Sequence, residues 1–266
     1  MMQDKKPIKR NTTPIVSTLI SKAEDKSHEA VRLNKYIAST GLCSRRDADL
    51  LIDEGKIMVN DIVVTDLGTK IQPTDVIKHN GKLLKPQKFV YVLLNKPKDV
   101  VTTMHDPHAK LTVMDLVKNA CKERIYPVGR LDKQTTGVLL LTNDGELADK
   151  LTHPSNNKLK VYHAVLDKTL SKDHFESILK GIELEDGPIQ ADALSYIDPT
   201  DERQIGIEIH SGRNRIIRRI FEHLGYQVNK LDRVYFAGLT KKGLQRGHWR
   251  HLTTTEVASL KMGSYK

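Results

Sequence analysis

The chain of 266 residues has only two cysteines, Cys43 and Cys121, far apart and outside any C-x-x-C pair. That scarcity excludes a disulfide framework and a thiolate zinc site, and it points to a reducing compartment. No apolar run approaches the ~20 residues needed to span a bilayer. The opening MMQDKKPIKRNTTP carries charge without an apolar core, so a cytoplasmic protein is expected rather than a secreted one. Metal ligands are also sparse. His105 and His108 form an H-x-x-H with no third ligand at a convincing spacing, and Asp106-Pro107 between them reads as a turn. Neither a metal nor a cofactor is expected. Acid is the last deficit: 33 Asp and Glu stand against 43 Lys and Arg, for a net charge of +10. Such an excess suits a polyanionic partner, and it equally suits a merely soluble basic protein.

The length admits one medium domain and a smaller one. Residues 1–28 are polar, cluster Lys5, Lys6, Lys9 and Arg10, and read as a disordered basic tail. Residues 29–79 read as a small domain. Within it Leu33, Tyr36 and Ile37, then Ala48, Leu51 and Ile52, recur at helical spacing. Gly41 breaks the first helix, Ser44 caps the second with Asp47 three residues on, and Gly55 ends it. Ile57, Val59, Ile62 and Val64 alternate as a hairpin. Its remaining side chains include Arg32, Lys35, Arg45, Arg46 and Lys56, which form either a solvated helix face or a phosphate-facing one. Residues 80–88 read as a linker, 89–261 as the second domain and 262–266 as a tail.

In the second domain FVYVLLNKPKDVVTT suggests two strands about a Lys96-Pro97 turn, with Lys96 at the surface. Residues 111–117 suggest a short helix, residues 124–126 a strand, and residues 181–210 three short strands. This irregular order argues for α+β architecture rather than a doubly wound sheet. The central stretch, residues 126–144, reads YPVGRLDKQTTGVLLLTND. Its apolar run is a buried strand, and Asp132 stands at the mouth of that strand. An unpartnered charge there is costly, so Asp132 is either half of a structural ion pair or a reactive carboxylate at a cleft. Tyr162 shares one face of a later strand with Lys160 and is either core or an active-site aromatic. Arg213, Arg215, Arg218 and Arg219 crowd the first half of a helix, where cations oppose the macrodipole, so phosphates or carboxylates must offset them.

Two resemblances bear on these alternatives. The segment L-N-K-Y-I-A…G-x-x-S-R-R-x-A…I-x-x-G-x-I-x-V-N resembles the S4 RNA-binding domain. G-R-L-D, followed two residues later by T-T-G-V-L-L-L-T-N-D-G-E-L, resembles the signature of the RsuA/RluB/RluF-type pseudouridine synthases, which isomerise uridine in ribosomal RNA. K-x-Y-x-V and the arginine-rich helix match further motifs of that family, although Ile216 replaces the usual Gln or Glu. The resemblance implies a mixed, mainly antiparallel sheet flanked by helices, behind an S4 domain. It implies Asp132 as catalytic carboxylate, Tyr162 as the aromatic against the flipped uracil and Arg218 as the cation paired with Asp132. RNA contacts fall to Arg32, Lys35, Ser44, Arg45, Arg46, Lys56 and Asn60 in the small domain, and to Arg130, Arg213, Arg215 and Arg219. The implied partner is ribosomal RNA, of the large subunit by the look of the arginine run and the chain's ending, met by a monomer. The rival reading is a non-catalytic S4-domain assembly factor. A glycoside hydrolase would need a second carboxylate, and Asp144 looks committed to a turn.

Overall fold

The computed structural model describes residues 30–264. The expected tail over residues 1–28 lies outside them, as do residue 29 and the last two residues. The chain divides into two units between Pro86 and Gln87.

In the first unit, strand β1 (Val31–Arg32) leads into helix α1 (Leu33–Ser39), followed by α2 (Arg45–Asp53). Ser44 and Asp47 close a reciprocal capping box on α2, and this satisfies amide groups that a helix start otherwise leaves free. Strands β2 (Ile57–Val59), β3 (Ile62–Val63), β4 (Lys70–Ile71), β5 (Ile77–His79) and β6 (Lys82–Leu83) follow. A four-stranded sheet runs β3-β2-β5-β6, and β4 pairs with β1. Leu33, Ile37, Ala48, Ile52, Ile57, Ile71 and Ile77 make the core. Residues 82–83 are therefore an edge strand of this sheet, not linker, because Lys82 and Leu83 pair with His79 and Lys78.

The second unit begins with β7 (Tyr91–Lys96), α3 (Val113–Val117), β8 (Tyr126–Pro127) and β9 (Thr135–Thr142). Next come α4 (Gly145–Thr152), β10 (Lys160–Leu166), α5 (Lys172–Lys180), β11 (Ile182–Leu184), β12 (Gly187–Ile189), β13 (Ala193–Tyr196) and β14 (Gln204–Ile209). The unit closes with α6 (Ile216–His223), β15 (Val228–Phe236), β16 (Leu239–Thr240), β17 (Trp249–His251) and α7 (Thr254–Met262). Its nine-stranded sheet runs β13-β14-β10-β15-β9-β7-β17, with β8 and β16 alongside β9 and β15. Among the described strands of this sheet only β9 and β15 pair in parallel. The mixed, mainly antiparallel α+β architecture expected from the sequence is the one observed.

Three local expectations are corrected. The second strand after Lys96-Pro97 is only a bridge between Val101 and Thr112. The first of the three patterns in residues 181–210 is a hairpin of two strands, β11 and β12. Met262 ends α7 rather than starting a tail.

Packing on both faces explains why the middle of β9, residues 137–141, is an unbroken apolar run instead of alternating. Leu139 and Leu141 face one core, with α3, α5 and α6, while Val138 and Leu140 face the other, with α4 and α7. A strand covered on both faces has no solvent side to give to polar residues. Gly137 in this strand has φ +109°, and a Cβ there would stand 2.1 Å from the Arg233 carbonyl oxygen. Only glycine lets β15 lie this close, and the contact sets Arg233 beside the mouth of β9.

Candidate active site

Asp132 sits in the short loop that enters β9, and the loop backbone is tied from below. The Thr135 amide donates to the Asp132 carbonyl at 3.0 Å, and Thr102 Oγ1 donates to the Leu131 carbonyl at 2.7 Å. Lys96, expected at the surface, is fully buried and supplies the main tie. Its ammonium donates to the carbonyls of Pro97 at 3.1 Å, Asp132 at 3.1 Å, Lys133 at 3.4 Å and Thr135 at 2.9 Å. Burial pulls its pKa down to about 8, against the opposing pull of Asp132 and Asp99. A lysine ending a buried strand can turn inward when several carbonyls converge on it, and the turn-like KP dipeptide gives no sign of that.

Above this loop lies a cleft of about 170 Å³, lined by Gly129, Arg130, Asp132, Thr135, Lys160, Tyr162, Arg213, Arg215, Ile216, Leu231, Arg233 and Phe236, among others. A single water needs about 10–15 Å³ of such space, so there is room for a planar ring. Asp132 is the only carboxylate among the described lining residues. Lys160 and Tyr162 lie on one strand face and both reach the cleft. Lys160 donates to the carbonyls of Lys158 at 2.9 Å and His210 at 3.0 Å, which straps the loop before α6 to β10. Burial, and after it Arg233, draws the Lys160 pKa down to about 8.

The four clustered arginines divide. Arg215 Nη1 stands 4.0 Å from Asp132 Oδ2. Its backbone is left-handed, φ +48°, at the N-cap of α6, a conformation that costs a non-glycine residue free energy and collects at functional sites. Arg218, expected to pair with Asp132, donates instead to the Val228 carbonyl at 2.7 Å, while Asp132 takes its ion pair from Arg215. Arg218 remains an electrostatic neighbour. Burial and then Arg215 lower its pKa, while Asp132 and Glu222 oppose them.

Arg213 and Arg219, expected on RNA, are held by the tip of the β11–β12 hairpin. Asp186 receives Arg213 Nη1 at 3.3 Å and Arg219 Nη2 at 2.6 Å, and Glu185 lies 3.0 Å from Arg219. Carboxylates thus offset the cations at this helix start, and Arg130 stays exposed on the cleft rim.

In the small unit Arg32, Arg45 and Arg46 are exposed, the arginine pair in the first turn of α2. Lys35 is partly buried, and Lys56 is paired with Glu54 at 2.6 Å. Two expected contacts are engaged within the unit: Ser44 caps α2, and Asn60 donates to Asp75 and accepts from the Val76 amide. His105 and His108 belong to no metal-binding group among the described residues. Asp144 caps α4 and receives the Tyr91 hydroxyl at 2.7 Å, so it is engaged in structure. Neither Arg233 nor Thr135 stands out in the sequence. The only trace of Arg233 is a cation in step with Leu231 on the inward face of β15.

The profile of RNA pseudouridylate synthases matches residues 90–223, and that of the S4 domain matches residues 31–77. The chain is 44% identical over 233 residues to ribosomal large subunit pseudouridine synthase B of Bacillus subtilis, covering 86% of this chain and 95% of the relative. It is 35% identical to the dual-specificity RNA pseudouridine synthase RluF of Escherichia coli, covering 87% of this chain and 78% of that one. A crystal structure of a pseudouridylate synthase superposes with a TM-score of 0.63 at 27% identity, covering 86% of this chain and 99% of that one. With a cleft built around one carboxylate and an S4 domain ahead of it, the chain belongs to the RNA pseudouridylate synthase family.

Proposed function

We propose that this enzyme converts a specific uridine of large-subunit ribosomal RNA into pseudouridine, as a cytoplasmic monomer and without a cofactor. The observation that carries the site reading is Asp132 as the one carboxylate, among the described residues, of a cleft otherwise lined by cations, neutral hydroxyls, apolar side chains and Tyr162. The ribosomal substrate rests on the relatives' names, above all the large-subunit synthase of Bacillus subtilis.

The reaction breaks the N1–C1′ bond, turns the base and joins C1′ to C5. C5 loses a proton and N1 gains one, so the RNA keeps its mass. The Asp132 carboxylate acts either as nucleophile at C1′ or as base at C2′, and the Arg215 guanidinium 4.0 Å away orients it. Tyr162 forms the wall that holds the detached base. The uridine must first leave its stack, and Arg130 on the cleft rim is placed to fill the vacated space or hold a flanking phosphate. Lys96 holds the carboxylate's own peptide from beneath, so the acid needs no reorganisation when the base arrives.

Asp132→Asn is expected to eliminate pseudouridine formation while leaving RNA affinity largely intact. Turnover by that variant removes Asp132 from the mechanism. Pseudouridine mapping in both ribosomal RNAs, from cells with and without the gene, tests the substrate. A lost modification confined to the small subunit would overturn the large-subunit assignment.

A further inference from the structure

Arg233 is only 3% exposed, and among the described residues no carboxylate pairs with it. The neighbouring Asp232 is taken by Lys241 and Arg246. A buried cation without a counter-ion is costly, and one such group beside a reactive cleft invites a functional explanation. Its Nε donates to the Val138 carbonyl at 2.9 Å, and the guanidinium lies 4.6 Å from the centre of the Phe236 ring. Tyr162 is its direct cross-strand neighbour, and both side chains line the cleft. Among the described residues Nη2 has no hydrogen-bond partner, and neither has the buried hydroxyl of Thr135, which also lines the cleft.

A guanidinium has donors only. Towards Arg233 the phenolic oxygen of Tyr162 can therefore only accept, which leaves its own proton to be directed elsewhere. Tyr162 lines the cleft, so that is where an acceptor would be found. We propose that Arg233 is a positioning residue that fixes Tyr162 as a hydrogen-bond donor to the detached uracil. This rests on the proposed function. When N1–C1′ breaks, its electron pair stays with the base, which becomes an anion spread over N1, O2 and O4. A hydroxyl aimed at a carbonyl oxygen of that anion, with a fixed cation behind it, is preorganised stabilisation. No proton leaves Tyr162 in this step.

The test is a double-mutant cycle on the full chain with transcribed large-subunit RNA, combining Arg233→Met, Arg233→Lys and Tyr162→Phe. Arg233→Met is expected to lower kcat about a hundredfold with KM within about twofold, and Arg233→Lys, which keeps a donor, to restore most of it. Neither change should cost anything further in the Tyr162→Phe background. Additive losses, a loss confined to KM, or an unchanged kcat would each overturn the inference. Should Arg233→Met fail to fold by its melting curve, Arg233→Gln, which removes the charge and keeps a donor for the Val138 carbonyl, takes its place in the cycle. Asp132→Asn run alongside separates the two readings. An active Asp132→Asn sinks the proposed mechanism, whereas an inactive one with additive Arg233 and Tyr162 losses sinks only the inference.

Discussion

The two units use the same cations in opposite ways. No lysine or arginine among the described residues of the small unit is buried, and Arg45 and Arg46 stand exposed at the start of a helix. In the larger unit Lys96, Arg218 and Arg233 are buried, and Arg213 and Arg219 are held by an acidic hairpin tip. Composition reads both halves as basic. Only the fold shows that one set of charges is offered outward while much of the other ties the Asp132 loop and a helix start in place. A net charge of +10 is therefore a poor measure of the RNA footprint.

The largest effect should come from the most deeply placed inward cation. Lys96→Met strips four carbonyls of their donor, and each buried acceptor left bare costs about 1–3 kcal/mol. A fall in Tm with loss of turnover is expected, and an unchanged kcat would show that the Asp132 loop holds its shape unaided. The wild type carries a second signature. With a pKa of about 8, the Lys96 ammonium loses its proton as pH rises through that value, so activity should fall on the alkaline side. Global stability should not follow, by the sign of the linkage. The folded pKa lies below the ordinary lysine value of 10.5, so between about 8 and 10.5 the unfolded chain binds more protons. The Lys96 contribution to stability therefore rises across that window. Lys160 titrates in the same range, and Lys160→Met should leave the Lys96 limb of the kcat profile in place.

Outward cations should act on affinity instead. Replacing Arg45 and Arg46 by alanine should weaken RNA binding and reduce the salt slope by about 1 for each phosphate no longer neutralised, with kcat at saturating RNA unchanged. Titrations at several salt concentrations measure this. An unaltered slope would show that the small unit is not the RNA clamp and would erase the contrast between the units.

Local signals made much of this legible. The Ser44–Asp47 capping box, the apolar run within β9 and the G-R-L-D entry to it are short-range patterns, and each stands where the sequence places it. The sharing of one strand face by Lys160 and Tyr162 was also readable from alternation alone. Partners distant along the chain were not. Lys96 turns inward because residues 132–135 converge on it, and Asp132 meets Arg215 rather than Arg218 because Arg215 adopts a left-handed backbone. Helical spacing presumes regular geometry through residues 213–219, so it could not foresee that one residue would leave it. Arg233 was hidden for a related reason: its meaning lies in Tyr162, 71 residues earlier and directly across the sheet.

The smallest predicted effect tests the inward side of the contrast at its weakest point. Asp186 is only partly covered, and its bonds to Arg213 and Arg219 bracket the left-handed Arg215. Exposed ion pairs contribute little to stability, so Asp186→Asn should lower Tm only slightly, and less at high salt. If the clamp matters, it matters through Arg215: a loosened segment would let that guanidinium drift from Asp132, so kcat should fall modestly while RNA affinity stays within about twofold. Were Arg213 and Arg219 instead held in reserve for phosphates, freeing them would tighten RNA binding and steepen its salt dependence. Binding isotherms of Asp186→Asn at two salt concentrations separate the outcomes, and a steeper slope would move these two arginines back to the outward class.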